Sequence, residues 1–266
     1  SLVHINITFE EPSSLVSIEK SAFNECIHIS QMTIPSSVRS IGQCAFNKCS
    51  NLEKVTILSL LITKIECCIF NDCYSLTQIT IPTSVTTIES YAFCKCEKLC
   101  QITIPSVKTI NNNAFYHCTS LMEINQALSL TSIEEYAFCG CLSLTQLDFP
   151  PSLVNIGKSA FAGCIKLTEV TFSSDASSSL TSIGPFSFSR CSLLEKIKIP
   201  SSVKLIEKYT FNRCESLVEI EIPSSVTEIE RYAFNQCLSL NKIIIPSSVT
   251  KIGFCAFPKD TKVVGC

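Results

Sequence analysis

The chain has 266 residues, 46% of them hydrophobic and 17% charged, with 21 Lys and Arg against 23 Asp and Glu. That composition carries enough apolar surface to build a core and excludes a disordered chain. The near balance of charge leaves no basic face for nucleic acid, and no apolar run approaches the roughly 18–20 residues of a membrane-spanning helix.

A repeat dominates the sequence. A Phe recurs at positions 23, 46, 70, 93, 115, 138, 161, 188, 211, 234 and 257, at intervals of 23, 24, 23, 22, 23, 23, 27, 23, 23 and 23 residues. A Cys stands three residues after each of the first ten. A fixed period of roughly 20 to 50 residues marks a solenoid, whose coils share one continuous core. The expectation is a single domain over residues 1–266, with a partial first repeat at 1–20 and a C-terminal cap at 258–266.

In chain order, Leu2, Ile5, Ile7, Leu15 and Ile18 precede the first Phe, so the chain opens in mid-repeat, as a fragment of a longer protein would. The clearest full unit runs from Cys214 through Leu217, Ile220, Ile222, Pro223, Val226, Ile229, Ala233 and Phe234 to Cys237. Ile220-x-Ile222 alternates as a strand with one buried face. Pro223 cannot donate to a sheet ladder and ends that strand; Pro35, Pro82, Pro105, Pro150, Pro200 and Pro246 stand at the same place in their repeats. Val226-x-x-Ile229 predicts a second short strand on another side of the coil. The three-residue step from Phe234 to Cys237 fits one turn of 3₁₀ or α-helix with both side chains inward.

Deviations fall where loops belong. The 27-residue interval holds a polar insert at 173–179, and the 22-residue interval drops one Ser beside Pro105. Asn125-Gln126 replaces the usual Ile-Pro and predicts a bulge. Asp260 stands where the column wants Cys, which suits a polar cap.

Ten of the 18 Cys belong to the column after Phe, which reads as a row of small buried hydrophobes. Coils stacked at about 4.8 Å hold parallel Cβ atoms farther apart than the roughly 3.5–4.5 Å a disulfide wants, so free thiols are expected. Cys44 and Cys68 each precede a Phe by two residues in consecutive repeats, and read as stacked thiols or as a bridge.

The stretch Leu217-x-x-Ile220-x-Ile222-Pro223-Ser224-Ser225-Val226-x-x-Ile229-Glu230-x-x-Ala233-Phe234-x-x-Cys237 resembles the BspA-type leucine-rich repeat, in one phase across all eleven Phe anchors. The resemblance implies a curved solenoid with a binding role, in a family of surface or secreted adhesion molecules of mucosal bacteria and protozoan parasites. One departure from the general leucine-rich pattern is that the slot for Asn or Cys is here usually Ser, at Ser84, Ser152, Ser202, Ser225 and Ser248. Those hydroxyls must satisfy the turn in place of an Asn ladder.

Little chemistry is visible. His28 and His117 lie about four coils, roughly 19 Å, apart, and His4 is farther still along the chain. Cys94-x-Cys96, Cys139-x-Cys141 and Cys67-Cys68 lack the four convergent ligands of a zinc site. None of the seven Gly forms a phosphate loop. No catalytic residue, metal or cofactor is expected, and the protein reads as a non-enzyme.

What remains is a surface. One outward column reads Thr33, Thr56, Thr80, Thr103, Asn125, Asp148, Thr171, Lys198, Glu221 and Ile244; the next reads Gln31, Lys54, Gln78, Gln101, Glu123, Gln146, Glu169, Lys196, Glu219 and Lys242. A solvated face with Thr chosen for β-propensity is one reading. The other is a concave binding sheet whose character changes near Asp148. The candidate partner-binding residues are Asp148, Glu169, Lys196, Lys198, Glu219, Glu221, Lys242 and Ile244. The expected architecture is a β-rich, right-handed solenoid of about eleven repeats, with a parallel concave sheet and short helical turns on the Phe side. The expected function is adhesion to a protein or host-surface ligand outside the cell, with an intracellular interaction scaffold as the alternative.

Overall fold

The computed structural model describes residues 5–9, 12–172 and 178–265. Leu2, His4, Cys266 and residues 173–177 of the polar insert lie outside them.

Each coil contributes a longer strand at the Ile-x-Ile site. These are β1 (Ile5–Ile7), β3 (Ile29–Ile34), β5 (Lys54–Ile57), β7 (Gln78–Thr80), β9 (Gln101–Thr103) and β11 (Glu123–Asn125). The series continues with β13 (Gln146–Phe149), β15 (Glu169–Phe172), β17 (Lys196–Lys198), β19 (Glu219–Glu221), β21 (Lys242–Ile245) and β23 (Lys262–Gly265). Between them, two-residue strands form at the Val-x-x-Ile site: β2 (Ser17–Ile18), β4 (Ser40–Ile41), β6 (Lys64–Ile65), β8 (Thr87–Ile88), β10 (Thr109–Ile110) and β12 (Ser132–Ile133). The rest are β14 (Asn155–Ile156), β16 (Ser182–Ile183), β18 (Leu205–Ile206), β20 (Glu228–Ile229) and β22 (Lys251–Ile252).

All pairing is parallel and runs from coil to coil, as in Met32 opposite Val55 and Ile197 opposite Ile220. The longer strands form four sheet pieces, β1-β3-β5-β7, β9-β11, β13-β15-β17-β19 and β21-β23. The main sheet is therefore interrupted after β7, β11 and β19. Near Asn125 the structure departs from the expected bulge: Gln126 turns the chain at φ 56° and the β9-β11 piece ends there. At the C-terminal end β23 extends the sheet beside β21, and Val263 on it stays exposed.

The Phe side differs from the helical turn that the Phe-to-Cys spacing predicts. Among the described residues there is no helix. The chain instead makes successive tight turns, closed by Ala45 N–H to Gly42, Asn47 N–H to Cys44 and Cys49 N–H to Phe46. The alternate residues reach across the stack: Cys44, Phe46 and Lys48 donate to Cys67, Ile69 and Asn71 of the following coil. Positions two before and two after Phe sit in the left-handed region, as at Cys44 and Lys48 with φ 57° each. A left-handed residue costs roughly 1–2 kcal/mol, and the bonds between coils offset it. Spacing alone cannot separate this turn from a helix, because both bring residues i and i+3 to one side.

Phe46 through Phe234 are fully buried and stack ring on ring, with centroids 4.9 to 5.8 Å apart. The Cys column is more than a row of small hydrophobes. Cys73 Sγ donates to the Phe46 carbonyl one coil back at 3.1 Å, and the pattern continues to Cys237 and Phe211 at 3.1 Å. A thiol is both small and a weak donor, which suits a buried position facing a carbonyl with a spare lone pair. The Ser slot works in the same way: Ser84, Ser152, Ser202, Ser225 and Ser248 each donate to a carbonyl of the preceding coil, at 2.6, 2.7, 2.5, 2.6 and 2.9 Å. An Asn ladder does exist, but one residue after Phe, where Asn71, Asn47 and Asn24 are linked at 2.9 and 2.7 Å.

Candidate binding surface

Alternation in the longer strands decides what the sheet shows to solvent. In β19 Ile220 points inward while Glu219 and Glu221 are exposed, and in β21 Ile243 and Ile245 are buried while Lys242 and Ile244 are exposed. The register joins these into columns. Gln146 faces Glu169, Glu169 faces Lys196 and Lys196 faces Glu219; beside them Asp148 faces Thr171 and Lys198 faces Glu221. All eight candidate residues are exposed on this one face. Charges alternate in sign from strand to strand, and opposite charges facing each other stabilise a sheet by roughly 0.2–1 kcal/mol per pair.

The structure does not treat the eight equally. Glu219, Glu221, Lys242 and Ile244 line a groove of about 860 Å³, together with Val218, Ile220, Ile222, Pro223, Ser224 and Pro246. This groove lies where the sheet is interrupted between β19 and β21. Lys196 and Lys198 stand on the neighbouring strand, while Glu169 lies one strand beyond. Asp148 is another strand away and accepts a hydrogen bond from Thr171 at 2.8 Å. A smaller, polar groove of about 270 Å³ opens at the break between β7 and β9, lined by Lys54, Gln78, Thr80, Gln101 and Thr103 among others.

Sequence reasoning passed over Val218, Pro223 and Pro246. Val218 had a signal: the residue after the first Leu of the unit is polar in most coils, as at Glu53, Thr77, Thr145 and Glu195. Val218 breaks that column just as Ile244 breaks its own, and each is 50% exposed. The two prolines were read only as strand ends. Their rings also wall the groove.

Among the described residues no group of three or more His, Cys, Asp or Glu could hold a metal ion. Cys67 and Cys68 bring their sulfurs to 3.5 Å, and burial together with the Cys67 and Cys44 thiols pushes Cys68 up to about 12, which keeps it protonated and a poor nucleophile. Burial likewise pushes Cys49 and Cys237 up to about 12. No helix of the described residues is long and apolar enough to cross a membrane.

Stacked parallel coils of about 23 residues, with buried Leu, Ile and Phe columns and one exposed sheet face, define a leucine-rich-repeat solenoid. The family model for the BspA type leucine rich repeat region matches residues 4–122, 63–178 and 131–264, so the chain belongs to the BspA-type leucine-rich repeat family. A leucine rich cell surface protein of Faecalibacterium prausnitzii is similar at 29% identity and a TM-score of 0.57, over 97% of this chain and 85% of that one. A leucine-rich repeat protein of Eubacterium ventriosum shares the fold at 24% identity and a TM-score of 0.59, over 92% and 80%. The pneumococcal vaccine antigen PcpA does so at 20% identity and a TM-score of 0.54, over 94% and 68%. No curated protein matches the chain.

Proposed function

We propose that this chain is a non-enzymatic adhesion module that binds a protein ligand on a host-cell or matrix surface through the C-terminal half of its main sheet. The observation that carries this reading is the groove between β19 and β21. It combines exposed apolar anchors, Val218 and Ile244, with flanking charges of both signs, Glu219, Glu221 and Lys242. Affinity on an extended face comes from a few such anchors rather than from total area, and mixed charge orients the partner. Likeness to a leucine rich cell surface protein of Faecalibacterium prausnitzii supports an extracellular location.

Ile244→Asp places a charge at the centre of the groove while leaving the buried Ile243 and Ile245 in place. Binding of the purified, labelled chain to mammalian epithelial cells should fall by at least about tenfold, or about 1.4 kcal/mol, with an unchanged unfolding midpoint. Undiminished binding by the folded variant would remove the groove from the site. The reading as an intracellular scaffold draws on the unbridged thiols, since disulfides are rare where thiols are kept reduced. Thiol counting on denatured protein without reductant should find at least the ten column cysteines under either reading, and a count near zero would contradict both.

A further inference from the structure

A second surface lies on the turn side of the coils, where the residue two before each Phe projects from a left-handed position. In the C-terminal coils that column is aromatic. Phe186 stacks on Tyr209 at 4.6 Å and 7°, and Tyr209 stacks on Tyr232 at 4.8 Å and 14°. Phe254 closes the far end, edge-on to Tyr232 at 5.8 Å. At the near end no ring of the described residues covers Phe186, because the preceding coil carries Ser159 in that place. The column resumes one coil earlier at Tyr136, under Lys158 Nζ at 5.4 Å from the ring centroid. One rung of the ladder is missing.

The gap opens into a groove of about 550 Å³. Phe186, Leu142 and Ile165 give it apolar walls, and Leu142 and Ile165 are 37% and 42% exposed. Gly163 lies on its floor, and a Cβ there would meet nothing nearer than 3.9 Å. Two basic residues, His117 and Arg190, line the groove and no acidic one does. Ser159 lines it too, and that residue is only 6% exposed. A hydroxyl both donates and accepts, so one on a groove wall can bond what enters. An uncovered ring, a wall hydroxyl and a basic rim ask for different parts of one ligand.

The geometry points to a docking site for an aromatic side chain with a polar edge, Trp or Tyr, flanked by carboxylates in a segment of a partner protein. The ring takes the empty rung on Phe186 in the offset stacking that aromatic pairs favour. Its indole N–H or phenol O–H bonds the Ser159 hydroxyl, and a neighbouring carboxylate meets Arg190, whose fork of donors matches it. This site is separate from the sheet groove and stands or falls independently of it.

The chain contains no Trp, so the fluorescence of an added indole reports its own surroundings without background. Titrating the protein into acetyl-Asp-Trp-Asp-amide should give a saturable blue shift. Acetyl-Lys-Trp-Lys-amide should bind at least about tenfold more weakly, because the rim is basic. Ser159→Tyr fills the rung with the residue that Tyr136, Tyr209 and Tyr232 already supply at φ 57°, 58° and 59°, so it should fold and lose the shift. Arg190→Ala, at an exposed position, should weaken binding about fivefold and serves as the test if Ser159→Tyr fails to fold. Absence of saturation up to millimolar protein, equal affinity for the two peptides, or undiminished binding by both variants would overturn the proposal. So would self-association of the wild-type chain that Ser159→Tyr abolishes, since the occupant would then be a second copy.

Discussion

Phe161 shows how much of this fold rests on single side chains. It is fully buried, with Phe138 at 5.3 Å on one side and Phe188 at 5.6 Å on the other. Phe161→Ala should cost about 3–5 kcal/mol, the usual loss for a core aromatic, and in a stacked array the loss falls mainly on neighbouring coils. Hydrogen exchange should show faster opening around residues 138–190, and a variant exchanging like the parent would remove Phe161 from the core. Ser187 gives the opposite sign. It holds a place that most coils give to Ala, and its hydroxyl is buried without a partner. Ser187→Ala should therefore stabilise the chain by about 1 kcal/mol in urea unfolding, through removal of an unsatisfied group.

The column thiols make a residue-scale prediction about pH. Burial raises Cys49 and Cys237 from 9.0 to about 12, and raises Cys73, Cys96, Cys141, Cys164, Cys191 and Cys214 as well. Above pH 9 the unfolded chain has lost these protons while the folded chain keeps them. The stability these thiols contribute is then fully present below about pH 9 and is lost as pH rises toward their folded values. Urea midpoints measured from pH 8 to 11 should drop steeply, and a flat profile would contradict the burial.

At the scale of elements, both strand sets, the Pro stops and the Ser slot were legible because each rests on a side chain with one strong preference. Ile alternates inward, Pro lacks a donor, and Ser has a hydroxyl that reaches a carbonyl one coil away. The Phe turn was not legible as to type, since a helix and a left-handed turn both return to the same side after three residues. Breaks in the sheet were equally hidden, because the strand residues on either side of them look alike in sequence; Gln78-Ile79-Thr80 and Gln101-Ile102-Thr103, on the two sides of the break after β7, are identical. Four of the ten residues lining the groove are therefore legible as outward strand positions, while Val218 and the proline walls emerge only from the shape. Gln236 separates the two turn types by sign. It is exposed at φ 60°, so Gln236→Gly should stabilise the chain by about 0.5–1 kcal/mol by relieving the left-handed strain. In a helical turn the same change would cost about as much. A lowered urea midpoint for Gln236→Gly would favour the helix.

The whole molecule is a stack about 50 Å long over ten coil steps of about 4.8 Å, with a mostly neutral Thr/Gln sheet face in its N-terminal half and a charged one after Asp148. Partner binding is proposed to belong to the charged half. Exchanging the charges at Lys196, Lys198, Glu219 and Glu221 tests it most directly, because positions 196 and 219, and 198 and 221, still face each other with opposite charges, and only Glu169 comes to face a like charge at 196. The fold should therefore lose no more than about 1 kcal/mol. A matched exchange at Lys251 and Glu228, which pair at 2.6 Å on the second strands, serves as the control. Binding of each purified variant to epithelial cells, read by flow cytometry, should fall at least about tenfold for the sheet exchange and stay at the wild-type level for the control. Equal binding by a folded sheet variant, or equal losses in both, would contradict the assignment.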